Sequence, residues 1–383
     1  MSSDENKHTE EKKWGVGHKV GLGILIILAV LAVAILIAYR SLVVKPELPP
    51  VESEQPVSTP AITIDPDTGG THPVVTPSEE PVPEVTQPTL PEKVSGERKS
   101  KDFYTILVVG TDVASWSTDT MMLVSYDVTN QSATVMSIPR DTLISAFGTE
   151  KSTRLNTIYA AYGGGQRGMN ALTAEVSELV GFVPDYRIFI SWELVGQMVD
   201  AIGGVQYDVP FHMEYDDPAQ DLHIYIEKGP QRLNGEQAMQ LVRWRKNNAG
   251  VQGGGDGSDL TRLRVQQGFL KEVLRQTLQI QNVARINELA KLFSEHVESD
   301  LSFENLLWFA TQAIFNGLKV DSVEFITMPL LAHYPNVYPD QTKLLELINT
   351  KLSPFQMKVT VYQLDLIYFD ENGVMCSTGR NSQ

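Results

Sequence analysis

A single cysteine, Cys376, stands in 383 residues. No internal disulfide is therefore possible, and any stable domain here must rest on an apolar core. The seven histidines (8, 18, 72, 212, 223, 296 and 333) show no short ligand spacing, and with one thiol this argues against a zinc site. There is no Gly-x-Ser-x-Gly elbow. Neither glycine run, 163–165 or 253–255, is followed by Gly-Lys-Ser/Thr, so both read as flexible connections. Basic residues are also in short supply, 31 Lys and Arg against 47 Asp and Glu, for a net charge of −16. That balance excludes a general nucleic-acid surface and confines any anion site to a local basic pocket.

What is present is unevenly spread. Residues 20–39 hold 20 positions without a formal charge, the roughly 20 residues that cross a hydrocarbon core of about 30 Å. The run exceeds the roughly 7–15 apolar residues of a cleaved signal peptide and closes on Ala38-Tyr39-Arg40, so it reads as an uncleaved transmembrane helix. Lys7, Lys12, Lys13 and Lys19 precede it, against Arg40 and Lys45 after it. This bias places the head inside and the bulk of the chain outside. Residues 46–98 then carry 12 of the 21 prolines, ten acidic residues and no aromatic side chain, the composition of an extended, semi-stiff stalk. The chain thus divides into a cytoplasmic head (1–19), a transmembrane helix (20–39), a Pro-rich, acidic, disordered extracellular linker (40–101), a catalytic domain (102–354) and a C-terminal tail (355–383) to which the sequence assigns no role. Strand-like and helix-like segments alternate after the linker, predicting a layered α/β domain with a central sheet.

The chemistry gathers at strand ends. Apolar runs at 106–109, 121–124 and 135–138 read as buried strands, and their ends carry Asp112, Asp119 and Arg140. Charges there need a partner, a metal or a ligand. Two carboxylates and a guanidinium suit a magnesium ion bridged to a phosphate; a structural Asp–Arg ion pair uses the same residues. Asp141 would orient Arg140 or cap a helix, and Arg154 and Asn156 read as structural. Further on, Asn234 and Gln237 form a capping box that opens a helix to about Val242. Arg243 and Arg245 follow, two positions apart and on one side if the chain is extended, although arginines at a helix end also suit its dipole. Asp259 reads as an N-cap. Arg262 and Gln266 then share a helical face, where an arginine, an amide and the free N–H groups of a first turn hold an anion.

In order, Gly110-Thr-Asp112, Thr118-Asp119-Thr120, Ser137-Ile-Pro-Arg140-Asp141, Arg154-Leu-Asn156, Leu233-Asn-Gly-Glu-Gln-Ala, Arg243-x-Arg245 and Asp259…Arg262…Gln266 resemble the LytR-CpsA-Psr (LCP) family of bacterial cell-envelope phosphotransferases. The resemblance implies an α-β-α layered domain with a central sheet. It also implies a single-pass protein of the bacterial cell membrane, with its C-terminal domain outside, that moves a teichoic acid or capsule-type glycopolymer from a polyprenyl diphosphate carrier to peptidoglycan. On that resemblance Asp112 and Asp119 hold magnesium, or manganese in its place. Arg140, Arg243, Arg245, Arg262 and Gln266 grip the diphosphate, and Asp259 is a further pocket acid that orients an arginine or acts as base. Two positions depart from the common pattern: Ser117 and Val265 stand where many members have arginine. A polyprenyl pyrophosphatase and a non-catalytic envelope lipid-binding or regulatory protein are the rival readings.

Overall fold

The computed structural model describes residues 43–49, 92–111, 118–145, 152–218, 222–277, 292–293, 297–333 and 335–379. The apolar span expected at 20–39 lies outside them; among the described residues no helix is long and apolar enough to cross a membrane.

Six strands, β1 (Phe103–Thr111), β2 (Thr118–Asp127), β3 (Ser132–Ile138), β4 (Tyr186–Ser191), β5 (Val297–Ser299) and β6 (Val323–Thr327), form the central sheet. Their order is β5-β4-β1-β2-β3-β6. β1 runs parallel to β4 and β3 parallel to β6, while the remaining neighbours are antiparallel. Successive side chains of a strand face opposite ways, and in β1 both directions are buried. Leu107 and Val109 enter one core, Tyr104 and Ile106 another.

Among the described residues the longer helices are α1 (Gly165–Val180), α2 (Trp192–Ala201), α3 (Gly235–Arg243), α4 (Asp259–Thr277) and α5 (Phe303–Phe315). α1 sets Met169, Leu172, Val176 and Leu179 against the Leu107 face. α5 sets Trp308 and Phe309 against Tyr104 on the other, the Tyr104 and Phe309 rings lying 5.0 Å apart at 85°. The result is the expected α-β-α layering. A smaller lobe has its own core, in which α2, α3 and α4 pack on the antiparallel strand pairs Val205–Val209/Gly229–Leu233 and Met213–Asp217/Leu222–Ile226. α2 and α3 meet backbone to backbone. A Cβ on Gly235 would lie 2.2 Å from the Gly196 carbonyl oxygen, which accounts for the glycine in Leu-Asn-Gly-Glu-Gln-Ala.

Both described ends of the segment expected to be linker are built into the domain. Val43 and Leu48 pack against the Tyr104 core, and Val94 is buried in the other. Arg98 pairs with the buried Asp185. Past Pro354 the chain contributes Phe355, Val359, Leu364 and Leu366 to the main core.

Candidate active site

The carboxyl ends of β1, β3, β4 and β6 share one edge of the sheet with the start of β2, the edge at which open α/β sheets bind ligands. There Gly110 pairs with Thr120 but Thr111 with Thr118. Asp119 is the extra residue of a β-bulge, and a bulge breaks the strand's alternation and re-aims a side chain. Pairing of Met121 with Ile138 brings Arg140, two residues beyond β3, to the same place. The Arg140 Nη1 donates to Asp119 Oδ1 at 2.5 Å, with the two side chains 15% and 26% exposed. Asp141 Oδ2 lies 3.8 Å from Arg140 Nε, and Asp141 Oδ1 lies 3.3 Å from Arg154 Nη1. Of the two roles open to Asp141, the structure shows the one beside Arg140.

α4 reaches the bulge from the lobe. Its N-cap is Ser258 rather than Asp259: the Ser258 Oγ accepts from the Thr261 N–H at 3.1 Å. Asp256 braces this turn, accepting from the Thr261 hydroxyl at 2.5 Å and from the Ser258 hydroxyl and N–H at 2.7 and 3.0 Å. These bonds, Thr261 foremost, hold its carboxyl down to about 2. Asp259 is the first residue of the helix. Aspartate and serine cap about equally well by residue type, and here Asp256, by holding the Ser258 and Thr261 hydroxyls, sets Ser258 in that place.

Arg262, 3% exposed, donates from Nη2 to the Asp119 carbonyl oxygen at 3.2 Å. Gln266, one turn on, accepts from the Thr120 hydroxyl at 3.4 Å and donates to the Val242 carbonyl at 2.8 Å. Arg262, Gln266, Asp119 and Arg140 are therefore assembled. Arg243 ends α3. The next residue, Trp244, is extended (φ −62°, ψ 138°) and fully buried, leaving Arg243 half-buried and Arg245 exposed. Among the described residues neither guanidinium forms an ion pair. Arg245 lies close enough to Tyr215 to oppose the rise in that hydroxyl's pKa, which burial drives.

Asp112 and Ser117 lie outside the described residues, as does the Asp259 side chain. Position 265 faces away from the site: Val265 is buried in the lobe core with Tyr207 and Phe269. The departure there is one of packing. Gln267 was not foreseen as a site residue. Its Nε2 lies 2.9 Å from Ser137 Oγ, 3.1 Å from the Ile326 carbonyl and 3.3 Å from Thr327 Oγ1, tying α4 to β3 and β6. From this edge a strip of half-buried apolar side chains, Val108, Met122, Val124, Ile188 and Ile190, runs down one face of the sheet.

The sequence profile of the LytR_cpsA_psr family matches residues 76–356. The chain belongs to this family. The polyisoprenyl-teichoic acid–peptidoglycan teichoic acid transferase TagV of Bacillus subtilis (strain 168) is 28% identical over 236 residues, which cover 59% of this chain and 56% of TagV. Regulatory protein MsrR of Staphylococcus aureus (strain COL) is 24% identical over 246 residues, 63% of this chain and 69% of MsrR. The chain thus spans about half the length of several curated relatives it matches, 56% for TagV. The crystal structure of B. subtilis TagV shares the fold with a TM-score of 0.53 at 26% identity, covering 66% of this chain and 96% of that one. A LytR-Csp2A-Psr enzyme from Actinomyces oris does so with a TM-score of 0.52 at 21% identity, over 69% and 97%.

In this LCP domain the metal reading has two local supports. Asp119 offers a hard carboxylate at the bulge. Asn156, whose N–H bonds the Arg140 carbonyl, has its Oδ1 buried without a hydrogen-bond partner among the described residues. Among the described residues no group of three or more His, Cys, Asp or Glu side chains forms a metal site.

Proposed function

We propose that this chain is a phosphotransferase that moves a teichoic acid or capsule-type glycopolymer from a polyprenyl diphosphate carrier to peptidoglycan. In this reading residues 20–39 anchor it in a bacterial membrane with the domain outside. The observation that carries the proposal is the convergence of Arg140 and Arg262, from two separate units, on the Asp119 bulge. The family's transferase relative TagV supports the polymer class.

A diphosphate laid across this edge meets Arg140 and Arg262, with Arg243 and Arg245 on the flanking turn. Their fixed guanidinium forks match phosphate oxygens and stabilise the charge that builds on them. The sugar hydroxyl of the acceptor attacks the phosphorus next to the glycan. Its oxygen–phosphorus bond forms, the bond to the polyprenyl phosphate breaks, and polyprenyl monophosphate leaves. The hydroxyl proton goes to a carboxylate, for which Asp259 is the nearest candidate by sequence. Magnesium or manganese, held by Asp119 and Asp112, would neutralise the diphosphate. Catalysis of this type is mainly positioning and electrostatics. The apolar strip offers the polyprenyl chain a path away from the reacting phosphorus.

The test is transfer of a labelled polyprenyl diphosphate glycan to a peptidoglycan oligomer by the full chain in detergent. Arg140→Ala should lower transfer by about 10²- to 10³-fold, the size expected for one pre-organised donor to the developing charge. Its ion pair is partly exposed, so its loss should cost about 1 kcal/mol of stability or less. Transfer at the wild-type rate would refute the assignment, and phosphate release without transfer would make the chain a pyrophosphatase.

A further inference from the structure

Asn156 sits in the short turn Leu155–Thr157 after the Arg154 strand. Its neighbour Leu155 is fully buried in the main core, and Asn156 itself is 9% exposed. Two backbone bonds fix it in the wall of the site. Its N–H donates to the Arg140 carbonyl at 3.2 Å, and its carbonyl accepts from the buried Thr118 hydroxyl at 3.2 Å. Thr118 adjoins the bulged Asp119, so one hydrogen bond on each side separates Asn156 from the two charged residues at the centre. Among the described residues its side-chain Oδ1 has no hydrogen-bond partner, and it has no contact with solvent. A buried acceptor without a partner costs about 1–3 kcal/mol, and buried polar groups are as a rule satisfied. A fold built on apolar packing gains nothing from an amide there when leucine would fill the space.

The chemistry of the missing partner is restricted. An amide oxygen only accepts, and the oxygens of a diphosphate only accept, so the carrier's phosphates cannot satisfy it. A cation can, because uncharged carbonyl oxygens are ordinary ligands of magnesium, directly or through one of its waters. We infer that Asn156 Oδ1 is a ligand of the divalent cation bound with Asp119. It supplies a neutral oxygen on the Arg140 side, where a further carboxylate would compete with the diphosphate for the guanidinium. This rests on the phosphotransferase reading and adds a residue to its cation site.

The test uses the full chain in detergent, titrated with magnesium chloride in the presence of geranyl diphosphate and followed by calorimetry and by melting temperature. For Asn156→Leu, the ligand-free protein should melt at or above the wild-type temperature, since an apolar group of similar shape replaces an unsatisfied one. Its magnesium affinity should fall about tenfold or more, the loss seen when residues supporting a metal site are removed. Asn156→Asp should keep the magnesium response. Aspartate offers only oxygens, so retention identifies the oxygen as the working end of the amide. A leucine variant with wild-type magnesium affinity overturns the inference, as does one that melts lower while its magnesium response is intact. Absence of any magnesium or diphosphate response in the wild type overturns the phosphotransferase reading and this inference with it.

Discussion

Gln267 puts the placement of the α4 arginine to the sharpest test. Its side-chain amide nitrogen is surrounded by three acceptors on two strands, Ser137 Oγ at 2.9 Å, the Ile326 carbonyl at 3.1 Å and Thr327 Oγ1 at 3.3 Å. With two hydrogens to share, it makes about two net hydrogen bonds, each worth about 0.5–1.5 kcal/mol. Leucine has nearly the same volume and makes neither, so Gln267→Leu should cost about 2 kcal/mol. For a domain of this size that is about 4–8 °C in melting temperature. The functional loss should be larger than the stability loss implies. Arg262 and Gln266 lie within the preceding turn and a half of α4, and a shift of about 1 Å in a positioning element costs about 10²-fold in rate. Transfer at 25 °C, well below the melting point, should fall at least tenfold. The assay pairs a thermal melt with the labelled-glycan transfer. A variant that melts lower yet transfers like wild type would show that Arg262 is placed by other contacts, and the reasoning would fail.

Two further outcomes concern the lobe. Gly235→Ala places a Cβ 2.2 Å from the Gly196 carbonyl oxygen and 2.5 Å from Asp200 Oδ2. The backbone oxygen cannot swing aside, so the melting temperature should fall by several degrees, from an overpacking cost of about 1–3 kcal/mol; an unchanged melt would mean that α2 and α3 separate freely. Asp256 has its carboxyl held at about 2, below the ordinary 3.8. Its contribution is present above the ordinary value and is lost as pH falls through the folded one. The difference in melting temperature between wild type and Asp256→Ala should therefore be constant from pH 7 to 5 and shrink only in stronger acid, and a change between pH 7 and 5 would refute the capping role.

Much of the framework was legible in residue order. Apolar runs marked β1 to β3, and the Asn234–Gln237 capping box is present as expected, with both reciprocal bonds formed. What escaped depended on partners that a single strand or helix does not show. The bulge at Asp119 exists only in the register of β2 against β1. Ser258 outranked Asp259 as a cap because Asp256 fixes its hydroxyl, a preference invisible in residue type. Gln267 was hidden beside Gln266. Only the sheet's position decides that one glutamine of the pair faces Thr120 and the other Ser137. Val43, Leu48 and Val94 are packed into the domain's cores although they sit in a stretch rich in proline and acid.

The same structure explains why a valine at 265 is compatible with an intact site. Arg262 and Gln266 lie on the face of α4 turned to the sheet, whereas Val265 and Phe269 lie on the face turned into the lobe core. The helix therefore has two obligations, and an arginine at 265 would have to be accommodated among Tyr207, Phe269 and their neighbours. The division also separates the chemistry. Asp119 and Arg140 belong to the sheet, and Arg243 and Arg245 belong to the lobe. α4 joins them through Gln266, which bonds Thr120 on the sheet and Val242 at the end of α3. A diphosphate bridging both sets would be gripped only while the lobe is docked. Weakening the α4 contacts should thus reduce the grip of the lobe arginines and of Arg262 together, and a variant at Gln266 or Gln267 should act on diphosphate binding as a unit, with non-additive effects when combined.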